Sequence, residues 1–139
     1  MKKTTNNKGF SLIELIIVIA IMAVLVAIIA PNLTKYLGSS KSKTDDKNLD
    51  EVKQQVMNAI SDAQTNDIEV PVKAITINAS GSSVTITNGD GGSFDKILQT
   101  VLKGSTTKSK VTPSNTSITV TISGDVANGY EITTASFTT

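Results

Sequence analysis

Lys8-Gly9-Phe10-Ser11-Leu12-Ile13-Glu14 runs directly into sixteen uninterrupted apolar residues, Leu15 to Ala30, and this junction decides how the rest of the chain is read. Residues 10–30 occupy 21 positions, ~31 Å as an α-helix, which matches a hydrocarbon core of ~30 Å. One carboxylate, Glu14, stands a turn inside this segment. An acid at mid-helix costs roughly 2.5–3.5 kcal/mol on insertion, so a charge kept there is a candidate for function. Ser11-Leu12-Ile13-Glu14 also fits the Ser-x-x-Glu capping box, in which the acid satisfies an amide at the helix start. The two roles are compatible.

Pro31 closes the apolar run. It has no N–H and its ring crowds the preceding turn, so it predicts a kink or local opening in a helix that continues. Leu33, Tyr36 and Leu37 keep a 3–4 spacing, and Leu49, Val52, Val56, Met57, Ile60 and Ala63 resume it. The polar stretch from Gly38 to Asn48 between them predicts a break. Asp45, Asp46, Asp50 and Glu51 gather where the pattern resumes, as acids do in a first turn, and read as a solvated face rather than a metal site.

After Asn66 the period changes from 3.6 to 2. Ala74 to Ile77 and Val84 to Thr87, with Gly81 marking the turn, read as a hairpin. A glycine-rich loop, Asn88 to Gly92, leads to a short helix with Phe94, Ile97, Leu98, Val101 and Leu102 on one face. Ser93 is placed to cap its start and Gly104 to end it. Residues 105–115 read as an exposed polar loop. Ile118, Val120 and Ile122 alternate in a third strand, Gly124 to Gly129 turns the chain, and Tyr130 to Phe137 forms the last strand. The expected fold is α+β: a long N-terminal helical spine, apolar in its first half, packed on a small antiparallel sheet. Its expected divisions are 1–9, a short basic head; 10–30, the apolar helix; 31–65, its amphipathic continuation; and 66–139, a β-rich globular head.

Composition narrows the chemistry. The chain has 139 residues, no His, Cys, Trp or Arg, and a formal charge of +1. The commonest metal ligands, thiol nucleophiles and neutral-pH proton shuttles are missing, and no catalytic Ser, Lys or Asp motif takes their place, so an enzyme is not expected. No disulfide can staple the head, whose stability must come from packing. Losing Lys2, Lys3 and Lys8 with residues 1–9 would take the formal charge from +1 to −2, which argues against nucleic acid as a partner. Lys103, Lys108 and Lys110 lack interleaved aromatics and read as a solvated loop. Asp90 and Asp95, with Asn88, could clasp calcium through oxygens, but the spacing fits no complete EF-hand and turn chemistry accounts for these residues. No metal and no cofactor is expected.

Three accounts compete for residues 1–31. Cleavage as an ordinary secretory signal would fall beside Pro31, with the bulky Ile28 where a small residue is wanted. A plain single-pass anchor leaves Glu14 as a cap and nothing more. The third account rests on likeness. Lys8-Gly9 followed by Phe10-Ser11-Leu12-Ile13-Glu14 and an apolar helix closing at Pro31 resembles the class III leader of type IV prepilins, over about the first 37 residues. The resemblance implies cleavage between Gly9 and Phe10 by a membrane prepilin peptidase and N-methylation of Phe10. It further implies an assembly role for Glu14 with Phe10, and a helix near Pro31 able to melt on assembly; Tyr36 stands where many pilins carry an aromatic.

The implied function is that of a structural subunit: a precursor in the cell membrane that polymerises with itself into a bacterial surface fibre of the adhesion or twitching type. A platform protein and an assembly ATPase are the implied partners. A pseudopilin of a type II secretion or competence DNA-uptake system shares the same N-terminus, and a membrane-anchored binding protein that never polymerises is the alternative of another class. Two features depart from the family pattern. Ala20 and Ala23 stand in a run that often carries a glycine, and the C-terminal cysteine pair of many pilins is absent.

Overall fold

The computed structural model describes residues 9–80 and 82–138. Its elements in chain order are α1 (Leu12–Thr65), β1 (Ala74–Ser80), β2 (Ser83–Thr87), α2 (Ser93–Val101), β3 (Ser117–Asp125) and β4 (Gly129–Thr138). The chain divides into two compact units whose boundary falls between Ser39 and Ser40, inside α1. The turn expected at Gly81 and the basic head at 1–8 lie outside the described residues.

In the first unit every described residue is exposed, from Gly9 to Ser39. The chain is α-helical straight through Pro31. The proline withholds a single donor, and around it Asn32 Nδ2 donates to the Ile28 carbonyl at 3.4 Å and Thr34 Oγ1 to the Pro31 carbonyl at 3.0 Å. The break expected between Gly38 and Asn48 does not occur. Polarity alone does not end a helix, and one glycine costs only about 1 kcal/mol there. Thr44 returns its hydroxyl to the Ser40 carbonyl at 2.9 Å, a bond made within the helix itself.

The second unit is a four-stranded antiparallel sheet in the order β2-β1-β3-β4, with both helical segments supplying its core. Val52, Val56, Ala59, Ile60 and Ala63 form the buried stripe of α1, at the 3–4 spacing that one helix face requires. They join Ile75, Ile77 and Ala79 of β1, Ile118, Val120 and Ile122 of β3, and Phe94 and Leu98 of α2. Met57, expected on this stripe, is 39% exposed at the stripe's edge. The outer sheet face carries hydroxyls that bond across strands, Thr76 to Thr119 at 3.2 Å and Thr134 to Thr121 at 2.8 Å. Register is therefore set on one face by packing and on the other by cross-strand pairs.

Helix ends are closed by backbone geometry. α1 stops where Asp67 takes φ 54 and the Ile68 amide bonds back to the Ala63 carbonyl at 2.9 Å, the Schellman arrangement with an aspartate in the left-handed position. At the start of α2 the expected Ser93 cap is not used: Gly92 is the cap residue, with no side-chain cap bond. The amides there are taken instead by Asp90 and Asp95.

Two sequence expectations fail together at residues 105–115. That segment contains the buried side chains Ser105, Thr107 and Ser109, and Asp45, assigned above to a solvated face, is only 7% exposed. The Asp45 carboxylate accepts from Ser109 Oγ at 2.5 Å, the Lys110 amide at 2.6 Å and the Val111 amide at 3.0 Å. Ser105 Oγ donates to Gln55 Oε1 at 2.6 Å. Thr107 sits fully buried, its hydroxyl accepting from the Ala79 amide at 2.9 Å and donating to the Thr116 carbonyl at 2.6 Å. A segment that buries no apolar side chain is thus held by satisfying the polar groups it buries, which is what burial of hydroxyls demands.

Burial works against the charge of Asp45, but the Ser109 hydroxyl, the Lys110 and Val111 amides and the Lys110 ammonium outweigh it, so its carboxyl titrates below the usual range. A carboxyl whose folded value is depressed stabilises the fold fully above the unfolded value, near ~3.9, and loses that contribution as pH falls through the folded one. Asp45→Ala should cost about 2–5 kcal/mol in urea unfolding followed by circular dichroism, because it strands two amides and a hydroxyl. Asp45→Asn should flatten the decline in stability below about pH 4. A change under ~0.5 kcal/mol in the alanine variant would mean the segment is held by something else.

Candidate functional site

The site the sequence points to lies at the start of α1. Ser11 precedes the first helical residue, and the Glu14 side chain reaches back so that its Oε2 accepts the Ser11 amide at 2.8 Å. This is the acid's half of a capping box. Among the described residues the other oxygen of Glu14 takes no hydrogen bond. Gly9 and Phe10 lie outside the helix, fully open, with Phe10 89% exposed. No atom lies within 4 Å of where a Cβ on Gly9 would sit, so this glycine is not required by packing inside the chain.

What surrounds Glu14 is apolar and uncovered. Eighteen large apolar side chains from Phe10 to Leu37 are exposed, none less than 43%. One stretch of α1 is long and apolar enough to cross a membrane, and among the described residues none of it is buried. Exposing that many side chains to water costs roughly 1.5–3 kcal/mol each, tens of kcal/mol in all. Lipid or other helices must cover them. Pro31 lies at the end of this surface, six residues before its last member, Leu37.

The remaining sequence candidates are in the second unit. Asp90 and Asp95 do come together at the start of α2. Asp90 Oδ1 accepts the Gly92 amide at 3.0 Å and the Asp95 amide at 3.4 Å, while Asp95 Oδ2 accepts the Gly91 amide at 2.8 Å. Burial raises the Asp90 carboxyl, but the Gly92 amide, the Asp95 carboxyl and the Asp95 amide bring it below its ordinary value. Asn88, at φ 59, points the chain into this loop but hydrogen-bonds to neither acid. No group of three or more His, Cys, Asp or Glu suited to a metal occurs among the described residues. Lys103, Lys108 and Lys110 are exposed and alternate with the buried Ser105, Thr107 and Ser109, so they are the solvent side of the docked segment. A shallow open groove between α1 and β4 is lined by Lys53, Met57, Tyr130 and Ile132 and gathers no chemistry.

Sequence reasoning missed Asp45, Thr107 and Ser109 as structural keystones. The signal that was present is an alternation of small hydroxyl residues, Ser105, Thr107 and Ser109, which is a strand-like burial pattern written in Ser and Thr rather than in Val and Ile.

Comparison with known proteins bears on the same end of the chain. Residues 4–30 match the family described as the prokaryotic N-terminal methylation motif. "Prepilin peptidase-dependent protein A" of Clostridium perfringens (strain 13 / Type A) is 32% identical over 101 residues, which cover 73% of this chain and 70% of that protein. No solved structure matches significantly.

Proposed function

Because this chain belongs to the pilin and pseudopilin superfamily of type IV prepilins, we propose that it is a structural subunit that polymerises through α1 into a surface filament. The observation that carries the proposal is an uncovered apolar helix with a single acid near its start, Glu14, whose carboxylate is only half engaged. A membrane covers such a helix while the subunit is a precursor. A bundle of like helices covers it in a fibre.

Transfer from lipid to a bundle gains little from apolarity, because both surroundings are equally oily, so packing alone does not fix the offset between neighbours. A directional contact does. Removing residues 1–9 makes Phe10 the new terminus and gives it a cationic amine. Glu14 Oε2 stays with the Ser11 amide, and its second oxygen receives the Phe10 amine of an adjacent subunit. At ~4 Å and an effective dielectric near 20 this attraction is about 4 kcal/mol before desolvation. That is comparable to the insertion cost of the acid, so pairing decides whether a subunit stays in the membrane or joins the fibre. The contact uses different surfaces on the two partners and does not close on itself, which generates an open helical filament. Pro31, lacking a donor to the turn before it, is where α1 opens if assembly requires local melting.

The role is non-catalytic in this proposal. Its partners are further copies of the chain, the prepilin peptidase, and the platform and ATPase that drive assembly, and its final location is an extracellular filament. The peptidase dependence in the relative's name supports the first processing step. A pseudopilin would use the same contacts in a shorter, envelope-bound fibre.

Glu14→Ala should leave processing intact, with a mature chain beginning at Phe10 by mass spectrometry, yet abolish the protein from sheared filament fractions. Normal filaments from that variant would remove the pairing from the account. Gly9→Val should leave the basic leader attached to a membrane-bound precursor, since the residue is free of packing constraints and its substitution reports cleavage alone. Mature-length protein from that variant would place the processing site elsewhere.

A further inference from the structure

The loop before α2 contains a feature that helix capping does not explain. Asp95 is only 8% exposed, and its Oδ1 is buried with no hydrogen-bond partner. Its carboxylate lies directly beneath Gly89, where a Cβ would collide with it. Asp90 and Asp95 share this loop, each accepting one of its glycine amides, Gly92 at 3.0 Å and Gly91 at 2.8 Å. Lys73 comes closest to offering compensation, but its ammonium donates to the Gly89 carbonyl at 2.7 Å, and among the described residues neither acid forms an ion pair. The α2 N-terminus supplies about half a positive charge, which offsets only part of two carboxylates.

A buried oxygen with no partner is costly and asks for a ligand. We propose that the Asn88–Asp95 loop is a calcium site, in which Asp95 forms the buried floor, Asp90 the solvent-facing wall, and water completes the shell. Asp90 is exposed and gives the ion its way in. Oxygen donors select a hard cation, and a chain without His or Cys offers nothing to softer metals. An irregular loop with positive φ at Asn88 and Gly91 suits calcium's flexible coordination better than magnesium's strict octahedron. With only two anionic ligands, affinity belongs in the ~10⁻⁴–10⁻³ M range of extracellular calcium modules. The site is wholly within the second unit and stands or falls independently of polymerisation.

Calorimetric titration of the full chain in detergent micelles with Ca²⁺, and in parallel with Mg²⁺ at matched ionic strength, tests it. The expected result is saturable Ca²⁺ binding with a dissociation constant of about 0.1–1 mM and a rise of a few degrees in thermal midpoint. Mg²⁺ should bind at least tenfold more weakly. Asp90→Asn, at an exposed position that tolerates the change, should weaken Ca²⁺ binding at least tenfold, and Asp95→Asn should do the same if it folds. No saturable binding up to ~10 mM, an equal response to Mg²⁺, or unchanged binding in Asp90→Asn would overturn the proposal. So would an acid-dependent stability gain in Asp95→Asn without any Ca²⁺ effect in the wild type, because the pair would then hold a proton.

Discussion

An apolar helix whose described side chains are all exposed is the constraint from which the other properties of this chain follow. The eighteen uncovered side chains from Phe10 to Leu37 make the isolated first unit untenable in water. Membrane and helical bundle are the two environments that relieve this, and they are nearly equal in apolar free energy. A small polar contribution therefore tips the balance. In the proposed assembly Glu14 supplies it, being the one ionisable side chain between Gly9 and Lys35.

The second unit solves a different problem. It must hold its shape without a disulfide, since the chain has no cysteine. It does so by laying the Val52–Ala63 stripe of α1 across β1 and β3 and by pinning a polar segment with buried hydrogen bonds. Asp45 is central to this. A charge near the start of the second unit reaches a segment more than sixty residues later, so the fold of the head is closed by electrostatics as well as by packing.

How far the sequence could be read depended on the range of the forces involved. The two halves of α1, the four strands and the apolar face of α2 follow from local periodicity, and each forms where that periodicity places it. The Ser11–Glu14 cap was equally legible, because both partners lie in one turn. The polar keystones were not. Asp45 looks like any surface acid until Ser109, Lys110 and Val111 arrive, and no local rule announces partners at that separation. Ser93 was a reasonable cap by residue type, but Asp90 takes the Asp95 amide that such a cap would accept, with a charged oxygen that binds more strongly than a hydroxyl. The uninterrupted course of α1 past Gly38 shows that a lapse in amphipathic pattern marks a change of surroundings rather than an end of helix.

The proposed contact between one subunit's Phe10 amine and another's Glu14 is open to direct capture. Fibres grown from a mixture of isotopically light and heavy subunits can be treated with a carbodiimide, which joins a carboxylate to an amine only where the two already touch. Mass spectrometry should then find peptides linking the Phe10 terminus of one isotopic form to Glu14 of the other. If every such link joins light to light and heavy to heavy, or if Glu14 is recovered unlinked, the acid has no partner on a neighbouring molecule and the polymer is held by some other means.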